Sequence, residues 1–385
     1  MLGWPWGFCK CKNFPLRENI SVETPLSKHV GRSIQLHKPY IPGEQPAAAQ
    51  KVIKLNTNEN PYPPSPAVRS QIIEEIQNLN LYPNPQALGL RKCIAKVNEV
   101  NSKQVIVGNG SDDILNLCVR CFSDSQLGVA ILDPSYSLYE VLASIQGTNL
   151  IRIPFESADF EIPLDSIKQC TANLLFITSP HAPSGRGYST LEIIDILENF
   201  KGLVVIDEAY IDFSKQSALP LLKDFSKLII TRTLSKSYSL AGLRVGYGLA
   251  NPEIIKTLDQ AREVYNVDKL AQVGAKAALE DRDYFTKTRD LIIDTRQRVY
   301  SILNDWGWRT IPSATNFIFT QPVDCHSKTG KRQAQNLYQY LEKKGILVRY
   351  FPHSHLTDSY VRISIGKSDD MTMLLEKIKE WRIHE

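Results

Sequence analysis

The 385-residue chain lacks the features that mark several broad classes of protein. No apolar run approaches the length that a helix needs to cross a membrane, and residues 1–30 lack the apolar core of a signal peptide. The formal net charge is only +4, and no cluster of lysines and arginines is long enough for a nucleic-acid-binding arm. We therefore expect neither membrane insertion nor nucleic-acid binding.

Cysteine and histidine are also sparse, at seven residues each. An odd number of cysteines in a chain of this length argues against a disulfide framework and favours a reducing compartment such as the cytoplasm. Cys118 and Cys121 form a C-x-x-C, but they follow the apolar pattern of a helix, and no second cysteine pair completes a zinc site. His353 and His355 have no partners at metal-ligand spacing. We expect no metal site.

The composition that is present, 43% hydrophobic and 22% charged, is that of a globular enzyme large enough for two domains. Apolar strand-like runs alternate with helix-period segments: runs at 128–132, 150–153, 174–177, 203–206 and 228–230, and helices near 111–122, 136–146 and 190–200. This alternation predicts an α/β fold with a mostly parallel sheet covered by helices on both faces. In such sheets, functional residues collect just beyond the carboxyl ends of the strands.

The pattern changes after residue 282, where a long helix over 283–304 leads to short strands near 316–319, 346–348 and 360–363. This change predicts a second, smaller α+β domain. We divide the chain into an N-terminal extension that we expect to be poorly ordered (1–30), a segment that joins the small domain (31–75), a large domain (76–282) and a small C-terminal domain (283–385).

Lys236 lies in a hydroxyl-rich, glycine-containing segment, with Arg244 eight residues later. A lysine that attacks a carbonyl must be partly unprotonated, so its site must lower its pKa. Arg244 and the hydroxyls of Thr233 and Ser235 are suited to hold a phosphate beside that lysine. The segment therefore predicts a Schiff-base lysine next to an anion site.

Asp207 follows the apolar run 203–206 directly. A carboxylate at the tip of a buried strand is unfavourable unless a cation pairs with it, and a protonated pyridine nitrogen is one such cation. Gly110, Ser111 and Asp112 precede an apolar helix, whose free N–H groups are suited to an anion. Taken singly, a turn-capping aspartate and a plain loop explain these motifs at least as well.

Two tyrosines and two arginines complete the candidate site. Tyr136 is suited to stack on a flat ring and Tyr210 to donate a hydrogen bond to a ring oxygen, although each position also suits ordinary packing. Arg362 alternates with apolar residues on a predicted strand, so it faces either the solvent or a substrate carboxylate. Arg349 is a second candidate of the same kind.

Together these motifs resemble the fold-type I, pyridoxal-phosphate-dependent aminotransferases and, within them, the histidinol-phosphate aminotransferase family. The resemblance runs from about residue 36 to the C-terminus. The lysine, aspartate and arginine motifs are typical of the whole superfamily, whereas the blocks at 58–61 and 82–85 point to the histidinol-phosphate branch. The resemblance implies a seven-stranded, mostly parallel sheet flanked by helices, with a smaller α+β domain.

The resemblance also implies a role for each candidate residue. Lys236 would carry pyridoxal 5′-phosphate (PLP) as a Schiff base and shuttle the proton, while Asp207 pairs with the pyridine nitrogen, Tyr210 with the phenolic oxygen and Tyr136 with the ring face. The implied phosphate ligands are Gly110, Ser111, Asp112, Thr233, Ser235, Arg244 and, from a neighbouring subunit, Tyr82. The implied substrate-binding residues are Arg362, Arg349, Tyr40 and Asn58. A homodimer with active sites at its interface follows.

One position departs from the family. The family usually carries an asparagine before the proline of an Asn-Pro-Thr/Ser-Gly turn, where it bonds to the phenolic oxygen, but here that residue is Ala182. Losing this donor should raise the pKa of the Schiff base. His181 is a candidate to replace it. We favour a tolerated variant; the alternative is a paralogue with altered substrate or weak activity.

We therefore expect a ping-pong transaminase that converts L-histidinol phosphate and 2-oxoglutarate to imidazole-acetol phosphate and L-glutamate. Three alternatives remain open from the sequence. The same residues serve aromatic-amino-acid aminotransferases and a threonine-phosphate decarboxylase. From a different class, the chain could also be a catalytically retired protein that binds the cofactor or mediates an interaction.

Overall fold

The computed structural model of the protein describes residues 27–35, 37, 39, 43–46 and 52–384. Tyr40 and most of the predicted N-terminal extension lie outside these residues. The α-helices are α1 Arg32–Gln35, α2 Pro66–Glu75, α3 Leu88–Val97, α4 Ser111–Phe122, α5 Leu138–Gln146, α6 Leu164–Gln169, α7 Thr190–Asn199, α8 Pro252–Ala261, α9 Lys269–Glu280, α10 Arg282–Asp305, α11 Lys331–Lys343 and α12 Ser368–His384. The strands are β1 Ile53–Lys54, β2 Val105–Asn109, β3 Val129–Asp133, β4 Leu150–Pro154, β5 Leu174–Thr178, β6 Leu203–Asp207, β7 Leu228–Thr233, β8 Val245–Ala250, β9 Arg309–Thr310, β10 Phe317–Gln321, β11 Ile346–Leu347, β12 Arg349–Tyr350 and β13 Val361–Ser364.

The central sheet has seven strands in the order β2-β8-β7-β6-β5-β3-β4. Strand β8 runs in the direction opposite to the other six strands, so the predicted mostly parallel sheet is confirmed. The apolar pattern located five of these strands and missed β2 and β8. Strand β8 contains Gly246 and Gly248, which break up its apolar run. Gly246 is required because a Cβ there would lie 2.1 Å from the backbone nitrogen of Ser111.

Successive residues of the central strands pack into cores on opposite faces of the sheet. In β5, Leu175 and Ile177 join one core, while Leu174 and Phe176 join the other. All four side chains are fully buried, and burying an aliphatic or aromatic side chain contributes about 1.5–3 kcal/mol. A strand buried on both faces reads as a continuous apolar run, which is why the sequence revealed it.

The parallel strands bring their carboxyl ends to one edge of the sheet. Thr178 ends β5, Asp207 ends β6 and Thr233 ends β7, and these three strands are adjacent and parallel. Polar residues from distant parts of the chain therefore meet at this edge.

A second, four-stranded antiparallel sheet, β12-β13-β10-β9, packs with α10, α11 and α12. The N-terminal strand β1 pairs in parallel with β11, which ties the segment before residue 60 to the C-terminal part of the chain. The division of the chain at residues 30, 75 and 282 stays a prediction. Within the described residues, no helix is long and apolar enough to cross a membrane, and no cluster of His, Cys, Asp and Glu could hold a metal ion.

Candidate active site

A cavity of about 220 Å³ opens at the carboxyl edge of the central sheet and extends to the second sheet. Twelve of the fifteen predicted site residues line it: Asn58, Ser111, Asp112, Tyr136, Asp207, Tyr210, Thr233, Ser235, Lys236, Arg244, Arg349 and Arg362. Of the other three, Gly110 lies directly behind the cavity wall, Tyr82 lies elsewhere on the surface, and Tyr40 falls outside the described residues.

Lys236 follows β7 and points its amine into the cavity. Its Nζ donates a hydrogen bond to the carbonyl of Thr57 at 3.2 Å and lies 5.9 Å from the ring centre of Tyr210. The Asn60 amide donates to the carbonyl of Lys236 at 2.9 Å and so fixes the backbone of the turn. Burial, and second the positive charge of Arg362, lower the pKa of Lys236 to about 8. The amine is therefore partly unprotonated near neutral pH.

Asp207 lies at the floor of the cavity and is only 2% exposed. The Tyr139 hydroxyl donates to its Oδ2 at 2.8 Å, and the Thr231 hydroxyl donates to its Oδ1 at 3.1 Å. Burial raises the pKa of Asp207 to about 6, although both hydrogen bonds oppose this rise. A cationic N–H group placed against this carboxylate would stabilise its ionised form.

The N-terminus of α4 forms one end of the cavity. Gly110 is its N-cap residue, and no side chain caps the helix, so no side-chain acceptor competes with an anion for the N–H groups of its first turn. The φ angle of Gly110 is 84°, and a Cβ there would lie 2.6 Å from Nη2 of Arg244. Glycine therefore allows the guanidinium to lie directly against this turn.

Arg244 and two hydroxyls face the same helix end. Arg244 Nη2 donates to Asp112 at 3.1 Å, and Nη1 lies 3.4 Å from the Ser235 hydroxyl. Thr233 donates to Ser235 Oγ at 2.9 Å. A guanidinium, two hydroxyls and a helix N-terminus thus converge on one place, which is the donor set that a phosphate requires.

Tyr136 and Tyr210 form walls of the cavity. The Tyr136 hydroxyl lies 3.4 Å from Asp112. Tyr210 is buried, and its hydroxyl accepts a hydrogen bond from Nδ2 of Asn58 at 2.9 Å. Oδ1 of Asn58 accepts a hydrogen bond from Ser364 at 2.9 Å, so the amide is held at both ends. Asn58 thereby orients Tyr210; its role towards the substrate stays a prediction.

His181 does not replace the missing asparagine. It is 1% exposed; one ring nitrogen accepts from Ser184 at 2.7 Å, and the other donates to the carbonyl of Pro134 at 3.0 Å. Burial lowers the pKa of His181 to about 3, so the ring is neutral. Ala182, by contrast, faces the cavity and packs in the same apolar cluster as Tyr210. The expectation for His181 is wrong because its side chain points into the core, away from the cavity.

Arg349 and Arg362 are directly opposite each other on the antiparallel strands β12 and β13, so their side chains share one face of the second sheet. Arg362 lies 5.1 Å from the ring centres of both Phe317 and Phe351, and Arg349 lies 5.7 Å from that of Phe351. Two neighbouring guanidinium groups at the cavity rim are suited to bind anionic groups of a substrate.

Tyr82 lies outside the cavity of its own chain. It is 80% exposed and stacks on Tyr265, with the ring centres 4.7 Å apart. Within one chain, therefore, it contributes nothing to the phosphate-binding end.

Three residues at the cavity floor were not among the predicted site residues: Tyr139, Thr178 and Thr231. Tyr139 lies on α5, inside an ordinary helical pattern, and no local signal distinguishes it. The two threonines lie on strands β5 and β7 at the carboxyl edge of the sheet, which is the one sequence signal that could have found them.

Comparisons with known proteins agree with this geometry. A sequence profile of the family described as "Aminotransferase class I and II" matches residues 50–378. The histidinol-phosphate aminotransferase of Clostridium acetobutylicum is 41% identical over 92% of this chain and 99% of its own length. That of Synechocystis sp. is 42% identical over 88% of this chain and 94% of its own. The chain belongs to the histidinol-phosphate aminotransferase family.

Solved structures show the same fold. A crystal structure of a histidinol-phosphate aminotransferase from Clostridium acetobutylicum has a TM-score of 0.78 at 25% identity and covers 87% of this chain and 100% of its own. That from Sinorhizobium meliloti, in complex with pyridoxal-5′-phosphate, has the same TM-score at 24% identity, covering 86% and 92%. The fold-type I aminotransferase fold is confirmed.

Aminotransferases of this family use PLP, and the residues of this cavity fit that cofactor. One end of the cavity offers a phosphate site at Gly110 and Arg244. The other offers Asp207, a carboxylate whose pKa is raised by burial and whose ionised form a pyridinium would stabilise. The amine of Lys236 lies in the same cavity, with its pKa lowered to about 8.

Proposed function

We propose that the protein transfers the amino group of L-histidinol phosphate to 2-oxoglutarate, giving imidazole-acetol phosphate and L-glutamate, in histidine biosynthesis. One observation carries this proposal: a single cavity contains a lysine of lowered pKa, Lys236, and two adjacent arginines, Arg349 and Arg362. The names of relatives about 40% identical over nine-tenths of the chain support the same substrate.

Bound PLP would supply an electrophilic carbonyl and an electron-withdrawing ring. The residues of the chain would bind and orient it: Arg244 and the N-terminus of α4 would hold the phosphate, Asp207 the ring nitrogen and Tyr210 the ring oxygen. Lys236 would be the base that accepts and returns the proton at the reacting carbon of the substrate. A base whose pKa lies near the working pH is suited to both accept and release that proton.

The two arginines would distinguish the substrates. Arg362, framed by Phe317 and Phe351, would bind the carboxylate of glutamate or 2-oxoglutarate. Arg349, across the strand pair, would bind the phosphate of histidinol phosphate together with Tyr40. In a ping-pong reaction both substrates use one cavity in turn, and the two guanidinium groups would let that cavity bind either anion.

A substrate panel tests this proposal. Purified holoenzyme is given histidinol phosphate, phenylalanine, tyrosine or threonine phosphate, with 2-oxoglutarate as acceptor, and glutamate and carbon dioxide are measured. We expect glutamate from histidinol phosphate, with kcat/KM at least tenfold above the aromatic amino acids. Preference for phenylalanine or tyrosine would favour an aromatic-amino-acid aminotransferase, and carbon dioxide from threonine phosphate would favour a decarboxylase.

We further propose a homodimer in which Tyr82 reaches the phosphate site of the partner subunit. Large apolar side chains cluster on this part of the surface; those at least 40% exposed are Ile73, Ile76, Leu79, Leu81, Tyr82, Leu88, Val264 and Tyr265. Such a patch is typical of a protein–protein interface. Tyr82, projecting from the patch, is then placed to cross to the partner.

Hybrid dimers test the shared site. Tyr82→Ala and Lys236→Ala subunits are each expected to be nearly inactive. If Tyr82 acts on its partner, a mixture of the two restores up to one intact site per hybrid dimer, because Lys236 of one subunit meets Tyr82 of the other. If mixed subunits exchange but stay inactive, Tyr82 does not act across the interface.

We propose that the protein works in the cytoplasm. All five cysteines in the described part of the chain are free, which suits a reducing compartment.

A further inference from the structure

Hydroxyl groups form a chain that begins at the cavity wall and ends at Asp207. Ser135 Oγ lies 3.2 Å from Thr178 Oγ1, Thr178 Oγ1 lies 2.9 Å from the Tyr139 hydroxyl, and that hydroxyl lies 2.8 Å from Oδ2 of Asp207. Tyr139 has no exposed surface, and Thr178 is 3% exposed. Neither Tyr139 nor Thr178 is among the residues proposed to bind PLP or substrate.

The donor and acceptor in each of these hydrogen bonds follow from the number of protons that each group carries. The carboxylate of Asp207 only accepts, so the single phenolic proton of Tyr139 is donated to it. Thr178 must then donate to the Tyr139 oxygen, and Ser135 must donate to Thr178. Hydrogen bonds aligned in one direction polarise one another, so the terminal bond to the carboxylate is strengthened.

Packing fixes Tyr139 in this role. Its ring stacks on Phe176, with ring centres 4.8 Å apart and planes 13° apart. It meets the edge of Tyr136 at 5.5 Å. The ring therefore has no freedom to turn its hydroxyl elsewhere. On the opposite side of the carboxylate, Thr231 occupies Oδ1, so both oxygens carry a donor from the protein.

We propose that Tyr139 is a positioning residue that keeps Asp207 ionised, so that Asp207 holds a proton on the ring nitrogen of bound PLP. The proposal rests on the proposed function in one respect, the placing of the ring nitrogen against Asp207. Burial disfavours the ionised carboxylate, and the hydroxyl of Tyr139 is the first of the hydrogen bonds that oppose this effect. Without it, Asp207 would compete with the ring for the proton.

The test measures the protonation state of the ring nitrogen directly. Wild type, Tyr139→Phe and Thr178→Val are each loaded with PLP labelled with ¹⁵N in the ring, and the ¹⁵N chemical shift is measured. Tyr139→Phe keeps the stacked ring and removes only the donor. We expect its shift to move towards that of an unprotonated pyridine, with affinity for PLP weakened roughly tenfold, the loss of one hydrogen bond to a charged group. Thr178→Val should move the shift the same way by less.

Tyr188→Phe is the matched control. Tyr188 is also buried, and its hydroxyl donates one hydrogen bond, to the carbonyl of Phe160 at 2.9 Å, away from Asp207. We expect no change in its ¹⁵N shift. Thr178→Val also keeps the proposal testable if Tyr139→Phe fails to fold, because it breaks the chain without touching the tyrosine ring; an unchanged shift there would then overturn it.

The variant Asp207→Asn distinguishes a failure of the inference about Tyr139 from a failure of the proposed placing of PLP. If Asp207→Asn moves the ¹⁵N shift and Tyr139→Phe does not, Tyr139 has no part in holding the proton and the inference is overturned, while the placing of PLP stands. If Asp207→Asn leaves the shift unchanged, Asp207 does not face the ring nitrogen, and the proposed placing of PLP fails together with the inference.

Discussion

The low pKa of Lys236 makes a quantitative prediction about the apoenzyme. With a pKa of about 8, half of the amine is unprotonated at pH 8. An ordinary lysine, with a pKa near 10.4, would be only about 0.4% unprotonated there, so Lys236 should react with an aldehyde roughly 100-fold faster. The pKa is lowered first by burial and second by the charge of Arg362. Replacing Arg362 by glutamine removes this second cause and should raise the pKa.

The assay is the rate at which the apoenzyme takes up PLP, followed by visible absorbance from pH 7 to pH 10.5. The phosphate group is already fully ionised over this range, since its second pKa is about 6. The wild-type rate should rise with pH and level off above about pH 8. In Arg362→Gln the inflection should lie at higher pH, and the rate at pH 7 should fall accordingly.

Arg349→Gln is the matched control for this experiment. It removes an arginine from the same cavity, but Arg349 is not among the charges that act most strongly on Lys236. Its inflection should stay near that of the wild type. A wild-type rate that keeps rising to pH 10.5 would show that burial does not lower the pKa of Lys236. An equal shift in both variants would show that Arg362 has no special effect.

Three further predictions concern the tuning of the site. Ala182→Asn should lower, by about one unit, the pH at which the visible absorbance of the holoenzyme changes, since it adds a donor beside Tyr210; an unchanged titration would contradict this. Tyr210→Phe should move that pH upward by a similar amount and leave the amide of Asn58 without its acceptor; a downward shift would contradict it. His181 is buried and neutral, so its contribution to stability is present above pH 6.5 and is lost as the pH falls towards 3. Between pH 7.5 and pH 5.5 urea unfolding should show that the wild type loses about 1.4 kcal/mol more than His181→Gln; equal losses would be evidence against a neutral His181.

The parts of the fold that were predictable are those in which one physical effect dominates locally. Strand β5 is buried on both faces, so its continuous apolar run was enough to locate it. Strand β8 was missed because Gly246 and Gly248 lie where the backbone of α4 and the strand β2 approach closely. That requirement comes from tertiary contacts and leaves no apolar pattern. The predicted helix over 283–304 was found as α10, Arg282–Asp305, because it is long and amphipathic.

The candidate site likewise contains residues that local sequence could predict and residues that depend on tertiary contacts. Asp207 was suggested by its place at a strand end, where function collects in parallel sheets. The pairing of Arg349 with Arg362 depends on the register of β12 and β13, which separate stretches of sequence do not specify. His181 misled for a related reason: it adjoins Ala182 in sequence, but the two side chains face opposite sides of the loop.

Burial acts on the two central groups in opposite senses. It lowers the pKa of Lys236 to about 8 and raises that of Asp207 to about 6, so each charged form becomes less stable. For the lysine this is useful, because the neutral amine is the nucleophile. For the aspartate it is harmful, because only the carboxylate can hold a pyridinium proton. Further burial of the cavity would lower the pKa of Lys236, but it would also destabilise the ionised carboxylate of Asp207 unless other groups stabilise that carboxylate. The hydroxyls of Tyr139 and Thr231 provide that stabilisation, and neither residue lines the cavity.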